Sequence, residues 1–255
     1  MERREGLARR QPQRALAVGQ IGLRLTYDVV LLDADDTLFD FYRAETYALE
    51  ATLNAFGYGA PVGEYMERFR AINAQVWREY ETGESTSAQI RVKRFVLLLD
   101  ELGQGFDPEE VSATYVEHLG EATFLVSGAR ELLDALHLQV PLGLVTNGIS
   151  AVQRSRLARS GLGDYFDAIV ISDELGIQKP DPGIFRAALD RVGVTSTDRV
   201  IMVGDGLHSD IRGAINAGID SCWFNLRGKP AEPEITPTHT VSSIAEVRSV
   251  LGVEP

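Results

Sequence analysis

The stretch DVVLLDADDTLFD, residues 28–40, decides the fold. Four apolar residues, Val29 to Leu32, run without interruption into Asp33, Asp35 and Asp36. A short continuous run of Val and Leu reads as a strand buried on both faces, and such strands belong to parallel sheets. Like charges at the end of a buried strand resist sharing a site. They call for a cation or a proton to hold them together.

Two further runs resemble the first. Residues 142–145 end at Thr146, and residues 200–203 end at Gly204-Asp205. Helical patterns lie between and after them: 129–137, then 150–159 closed by Gly161, 184–192 after Lys179, and 211–217 stopped by Gly218. Strand patterns at 168–172 and 221–224 complete the alternation, and Ser243-Ile-Ala-Glu246 carries the signature of a capping box that opens a last helix. Strands alternating with helices predict an α/β fold, a doubly wound parallel sheet with right-handed crossovers.

The segment after the first strand reads differently. Leu49, Leu53 and Phe56 recur at helical spacing and stop at Gly57; Tyr65, Phe69, Ile72 and Val76 repeat the pattern. A third helix is expected over 90–102, starting after Ser85/Ser87, and Asp107-Pro108 caps a fourth. A crossover needs only about a dozen residues. The surplus predicts an inserted helical-bundle cap domain over 41–122, with the α/β core formed by 25–40 and 123–255. Residues 1–24 carry six Arg against two Glu and read as a disordered tail.

Composition fits a soluble globular protein, with 44% apolar and 24% charged residues among 255. The net charge is −12, and with +4 in the first 24 residues the remainder carries −16. An acidic body argues against a nucleic-acid partner, and no run is long enough to predict a membrane span. The lone Cys222 excludes an internal disulfide and fits a cytoplasmic location. His118, His137, His208 and His239 have no zinc-ligand spacing.

In an open α/β sheet, ligands bind outside the carboxyl ends of the strands. Asp33 and Asp35, Thr146 and Asn147, and Asp205 all fall there, and Lys179 sits on a loop stiffened by Pro180 and Pro182. Asp33, Asp205 and, as a further candidate, Asp210 offer hard oxygens suited to Mg²⁺. The Thr146 hydroxyl, Asn147 amide and Lys179 ammonium are donors for a phosphate. Of Asp33 and Asp35, one carboxylate can attack phosphorus while the other moves a proton.

Asp-Ala-Asp-Asp-Thr-Leu (33–38), Val-Thr-Asn-Gly (145–148), Lys179-Pro180 and Val-Gly-Asp-Gly-Leu-His-Ser-Asp (203–210) resemble, in order, the four motifs of the haloacid dehalogenase (HAD) phosphatase superfamily. The helical insert resembles its C1 cap. The resemblance implies an HAD-like Rossmannoid core, Asp33 as nucleophile, and Asp35 as acid/base with its backbone carbonyl on Mg²⁺. It further implies Thr146 and Lys179 as phosphate binders and Asp205 as a metal ligand. Asp210 is implied as a metal ligand, direct or through water, or as a residue orienting Lys179. Gly206 departs from the pattern, which often has Thr or Ser there.

Trp77-Arg-Glu-Tyr-Glu-Thr-Gly, Gly161-Leu-Gly-Asp-Tyr-Phe-Asp-Ala-Ile-Val-Ile-Ser and Ala217-Gly with Cys222-Trp223 are similar to the pyrimidine 5′-nucleotidase branch. That implies a nucleotide partner, with UMP, dUMP and TMP as substrates. The same core would serve a sugar phosphate or acylneuraminate-9-phosphate, and a phosphomutase stays open; Asp35 and Asp205 argue against a halide-removing hydrolase, and the helical lid with the Asp33-x-Asp35 pair argues against a receiver-type phosphoacceptor domain. Trp77 and Tyr80 fall on a helical period and are candidates either for core packing or for substrate selection. Asp36 and Thr37 read as turn residues, His208 as a loop residue, Cys222 as a small buried hydrophobe, and Arg91 as a solvated charge.

Overall fold

The computed structural model describes residues 25–253, so the expected tail over 1–24 lies outside the described residues. Among these, one six-stranded parallel sheet contains β1 (Val29–Leu32), β2 (Leu142–Thr146), β3 (Ala168–Ile171), β4 (Val200–Gly204), β5 (Asp220–Phe224) and β6 (His239–Val241), ordered β3-β2-β1-β4-β5-β6. Leu32 is level with Leu144 on one side and Val203 on the other. Asp33, Thr146 and Asp205 therefore leave the sheet within a residue of one another.

Period-two alternation explains the unbroken apolar run. Val30 and Leu32 pack with α5 (Ala129–Leu136) and α10 (Ile244–Leu251), whereas Val29 and Leu31 pack with α8 (Pro182–Val192) and α9 (Arg212–Ala217). Both faces of β1 are covered, so every position must be apolar. Each such side chain contributes roughly 1.5–3 kcal/mol on burial.

The insert forms α1 (Phe41–Ala55), α2 (Met66–Glu81), α3 (Ser87–Glu101) and α4 (Pro108–Glu121). They share an apolar cluster in which the rings of Phe69, Phe95 and Tyr115 lie 5.2–5.6 Å apart. Asp40 caps α1 and Asp107 caps α4, with Pro108 in its first turn. Helix α3 begins one turn before the expected position 90, because Thr86 and Gln89 form a capping box.

Other differences are local. Strand β6, only three residues long, was not expected, nor was α7 (Ser172–Leu175) or the wide turn Leu207–Ile211 ahead of α9. In that turn both Asp210 and Ile211 donate their N–H to the Gly206 carbonyl, at 2.8 and 3.1 Å. Helix α6 (Ser150–Ser160) follows β2 and ends at Gly161, which sits at φ +70°. No helix among the described residues is long and apolar enough to cross a membrane.

Candidate active site

Asp33 continues β1, donating its N–H to the Val203 carbonyl at 2.9 Å. The chain then turns sharply: Leu38 and Phe39 both donate to the Ala34 carbonyl, at 2.9 and 2.8 Å, and Asp36 takes φ +54°. Arg227, from the segment after β5, holds the Asp36 carboxylate at 2.9 Å. Asp36 is thus a turn residue, as expected.

The Lys179 ammonium lies 2.5 Å from Asp33 Oδ1 and 2.6 Å from Asp210 Oδ1, and donates to the Val145 carbonyl at 2.9 Å. All three groups are buried. Burial works to lower the lysine pKa, but the Asp210 and Asp33 carboxylates outweigh it and hold the ammonium above its ordinary range. Asp33 is pushed well up from the usual carboxylate range, chiefly by burial and despite Lys179, with Asp210, Asp205 and Asp35 adding repulsion. Asp205 is pushed up to about 6 by burial, against the opposing charge of Lys229.

Oxygens of Asp33, Asp205 and Asp210 all lie within 4.8 Å of one another. Three close carboxylates, two raised in pKa by burial, are a donor set that suits a small hard cation. The Asp35 side chain is not in that group. Its Oδ2 accepts from Gln153 Nε2 at 2.8 Å, and its Oδ1 lies 2.7 Å from Arg156 Nη2. The Asp35 carboxylate, expected as acid/base with only the backbone carbonyl of that residue on the metal, therefore stands apart from the other three, on the side of α6.

The expected phosphate donors lie alongside. Thr146 is buried, and its hydroxyl accepts from the Gly148 N–H at 3.1 Å. Asn147 has a structural task that was not anticipated: its Nδ2 donates to the Lys179 carbonyl at 2.9 Å and its Oδ1 accepts from the Lys179 N–H at 2.8 Å. That paired bond ties the loop after β2 to the lysine loop. At Gly206 a Cβ would lie 2.1 Å from Ser209 Oγ. The space a side chain at 206 would need is filled by the Ser209 hydroxyl.

These residues line a cavity of about 580 Å³ that also includes Phe41, Trp77, Trp223 and Lys229. Trp77 meets both expectations in part, lining this cavity while packing against the small apolar cluster of Val76, Tyr80 and Ile90. Tyr80 does not line it: its ring packs edge-to-face against Trp77 at 5.6 Å, and its hydroxyl lies 3.2 Å from Ser172 Oγ. Arg91, expected as a solvated charge, stays partly exposed and pairs with Asp173 at 2.5 Å. His208 pairs with Glu232 at 2.9 Å, on the rim.

Sequence reasoning missed Lys229, whose ammonium lies 2.6 Å from Asp205 Oδ2. The available signal was its place shortly after a strand that ends on the site edge. It also missed Gln153 and Arg156, which read as part of a polar helix.

Comparison with known proteins agrees with this geometry. Residues 27–218 match the family profile described as haloacid dehalogenase-like hydrolase. The chain is 36% identical to pyrimidine 5′-nucleotidase YjjG of Escherichia coli, covering 89% of this chain and 99% of that one. It is 34% identical to pyrimidine 5′-nucleotidase PynA of Streptococcus pneumoniae, covering 88% and 95%. The crystal structure of the Bacillus subtilis HAD-hydrolase YfnB, bound to magnesium and described as revealing interdomain movement, superposes with a TM-score of 0.84 at 34% identity, covering 89% and 99%. The chain belongs to the haloacid dehalogenase-like hydrolase family, as one of its phosphatases.

Proposed function

We propose that this chain is a Mg²⁺-dependent 5′-nucleotidase that removes phosphate from pyrimidine nucleoside monophosphates through an aspartyl-phosphate on Asp33. The observation that carries the reading is the buried Asp33–Lys179–Asp210 contact beside Asp205, with Asp35 two residues from Asp33 on the cavity wall. Asp33, Asp205 and Asp210 would hold the ion, with the Asp35 carbonyl as a further oxygen. When bound, Mg²⁺ supplies positive charge that offsets the carboxylates and polarises the phosphoryl group.

In the first step an Asp33 oxygen bonds to phosphorus and the bond from phosphorus to the ester oxygen breaks. Asp35 gives its proton to the departing oxygen. In the second step water bonds to phosphorus, Asp35 takes the water proton, and the bond to Asp33 breaks, restoring the carboxylate and releasing phosphate. Lys179 neutralises charge on Asp33 and on the transferring group, and Thr146 offers its hydroxyl to a phosphate oxygen. Asn147 holds the lysine loop in register.

The two nucleotidase relatives support the substrate class. So do Trp77 and Phe41 on the cavity wall, flat apolar surfaces on which a base can stack. A volume of about 580 Å³ falls within the range of small-molecule sites. Residues 41–122 act in this reading as a cap that shields the site. A cytoplasmic location, in keeping with one buried cysteine, belongs to the same reading.

The test is a phosphate-release screen of nucleoside monophosphates and sugar phosphates with Mg²⁺, repeated with EDTA. UMP, dUMP and TMP should lead, EDTA should abolish turnover, and Asp33→Asn should lower it by at least about 10³-fold while remaining folded. A preference for purine nucleotides or sugar phosphates would overturn the substrate. Full activity of Asp33→Asn would overturn the nucleophile.

A further inference from the structure

We infer that Gln153 and Arg156, one turn apart on α6, are positioning residues that aim the Asp35 carboxylate for proton transfer to the leaving group. This rests on the reading of Asp35 as the acid/base.

Asp35 Oδ2 accepts a hydrogen bond from Gln153 Nε2 at 2.8 Å, and Oδ1 lies 2.7 Å from Arg156 Nη2 in an ion pair that lacks hydrogen-bond alignment. A carboxylate hydrogen-bonded at one oxygen and drawn at the other by a buried cation, both from neighbouring turns of one helix, is restricted in its orientation. A general acid needs that restriction, because the proton must arrive along the line to the departing oxygen.

The two side chains are otherwise hard to explain. Gln153 is 0% exposed and Arg156 1% exposed. A buried guanidinium is costly unless it is paired, and an apolar side chain of similar size would pack a helix face at lower cost. Asp35 is the carboxylate with which Arg156 makes an ion pair, and the guanidinium lies over the Phe39 ring at 4.9 Å. Its Nε and Nη1 have no hydrogen-bond partner among the described residues. Among the described residues, Asp35 is the one carboxylate that pairs with this charge.

The path of Gln153 is built as well. A Cβ on residue 148 would lie 2.2 Å from Gln153 Nε2 and 2.9 Å from its Cγ and Cδ. Only glycine at 148 lets the amide pass to Asp35. Helix α6 starts two residues further on, so the element that follows the Thr146–Asn147 loop also carries the clamp. Phosphate and proton donor are thus referenced to one rigid piece of structure.

The clamp touches neither Asp33 nor Lys179, so its loss should spare the attack on phosphorus and injure only proton delivery. That defect depends on the leaving group. Nucleoside 5′-oxygen departs as a strong base unless protonated, whereas p-nitrophenolate leaves without help.

The experiment compares single-turnover release of uridine from UMP with release of p-nitrophenolate from p-nitrophenyl phosphate. The enzyme is full length, in saturating excess and with Mg²⁺, so the rates do not depend on the folded fraction. In Gln153→Leu and Arg156→Met, uridine release should fall about 10²-fold, within the range of general acid catalysis. Release of p-nitrophenolate should stay within about threefold, and Arg156→Lys should recover part of the uridine rate. Equal losses on both substrates, or no loss on UMP, would overturn the inference; Gln153→Leu carries the test even if Arg156→Met does not fold. Asp35→Asn separates the two levels. If it shows the leaving-group split and the clamp variants do not, the clamp fails alone. If it shows no split, the acid/base reading fails.

Discussion

Lys179 Nζ and Asp33 Oδ1 lie 2.5 Å apart with both side chains buried, and a second buried carboxylate, Asp210, takes the other side of the same ammonium. Lys179 is therefore as much a part of the fold as of the site. Removing one partner of a buried pair leaves uncompensated charge, at a cost of about 3–5 kcal/mol. Lys179→Met should lose activity and unfold in urea at a markedly lower midpoint at pH 7. Asp33 is already raised by burial, and loss of the ammonium raises it further. The folded variant then binds protons more tightly than the unfolded chain, so its stability rises as pH falls below 7. A variant equally weakened at pH 5 and pH 7 would contradict this.

Trp77 presents its indole to the cavity, braced by Tyr80. Base stacking contributes about 1–3 kcal/mol. Trp77→Ala should raise KM for UMP roughly tenfold at that strength, while KM for p-nitrophenyl phosphate changes little. Equal KM increases for both would mean that Trp77 shapes the site rather than reads the base.

Lys229 donates to Asp205, one of the three clustered carboxylates. An ammonium in that position competes with a metal ion for the same oxygens. A partly exposed pair is worth up to about 1 kcal/mol, so Lys229→Met should lower the half-activating Mg²⁺ concentration by about fivefold at most. An increase would assign Lys229 to substrate binding instead.

Glu174 pairs with Arg154 of α6 at 2.7 Å and accepts from Ser150 Oγ at 2.6 Å. Those contacts, the Arg154 bond first, hold its carboxyl down at about 2. A depressed folded-state pKa contributes stability above the unfolded value near 4.5, lost as pH falls toward 2. The pair is partly exposed and screened, so Glu174→Gln should cost less than about 1 kcal/mol at pH 7. In urea titrations the gap from the parent protein should close between pH 4.5 and 2.

The residues that sequence reasoning reached share one property: their position follows from the strand that carries them. A run such as Val29–Leu32 can be apolar throughout only between two covered faces, and a parallel sheet then delivers Asp33, Thr146 and Asp205 to one edge. Asp107-Pro108 announces α4 for a similarly local reason. What stayed hidden depends on partners distant in the chain. Arg91 meets Asp173, 82 residues away, and Gln153 meets Asp35, 118 residues away. Nothing in a run of Gln, Arg and Ser along α6 says which side faces a carboxylate. Strand β6 escaped because three residues are too few for a period to appear.

Lys179 already spends its three N–H bonds on Asp33, Asp210 and the Val145 carbonyl. An arriving phosphate finds no idle donor there and can gain a bond to the ammonium only by releasing one of those acceptors. Entry of substrate at this residue is an exchange, with little net change in hydrogen bonding, and departure of inorganic phosphate is the same exchange reversed. On the proposed mechanism the lysine would thus lend charge to the reaction without gripping the product, which would favour turnover over retention.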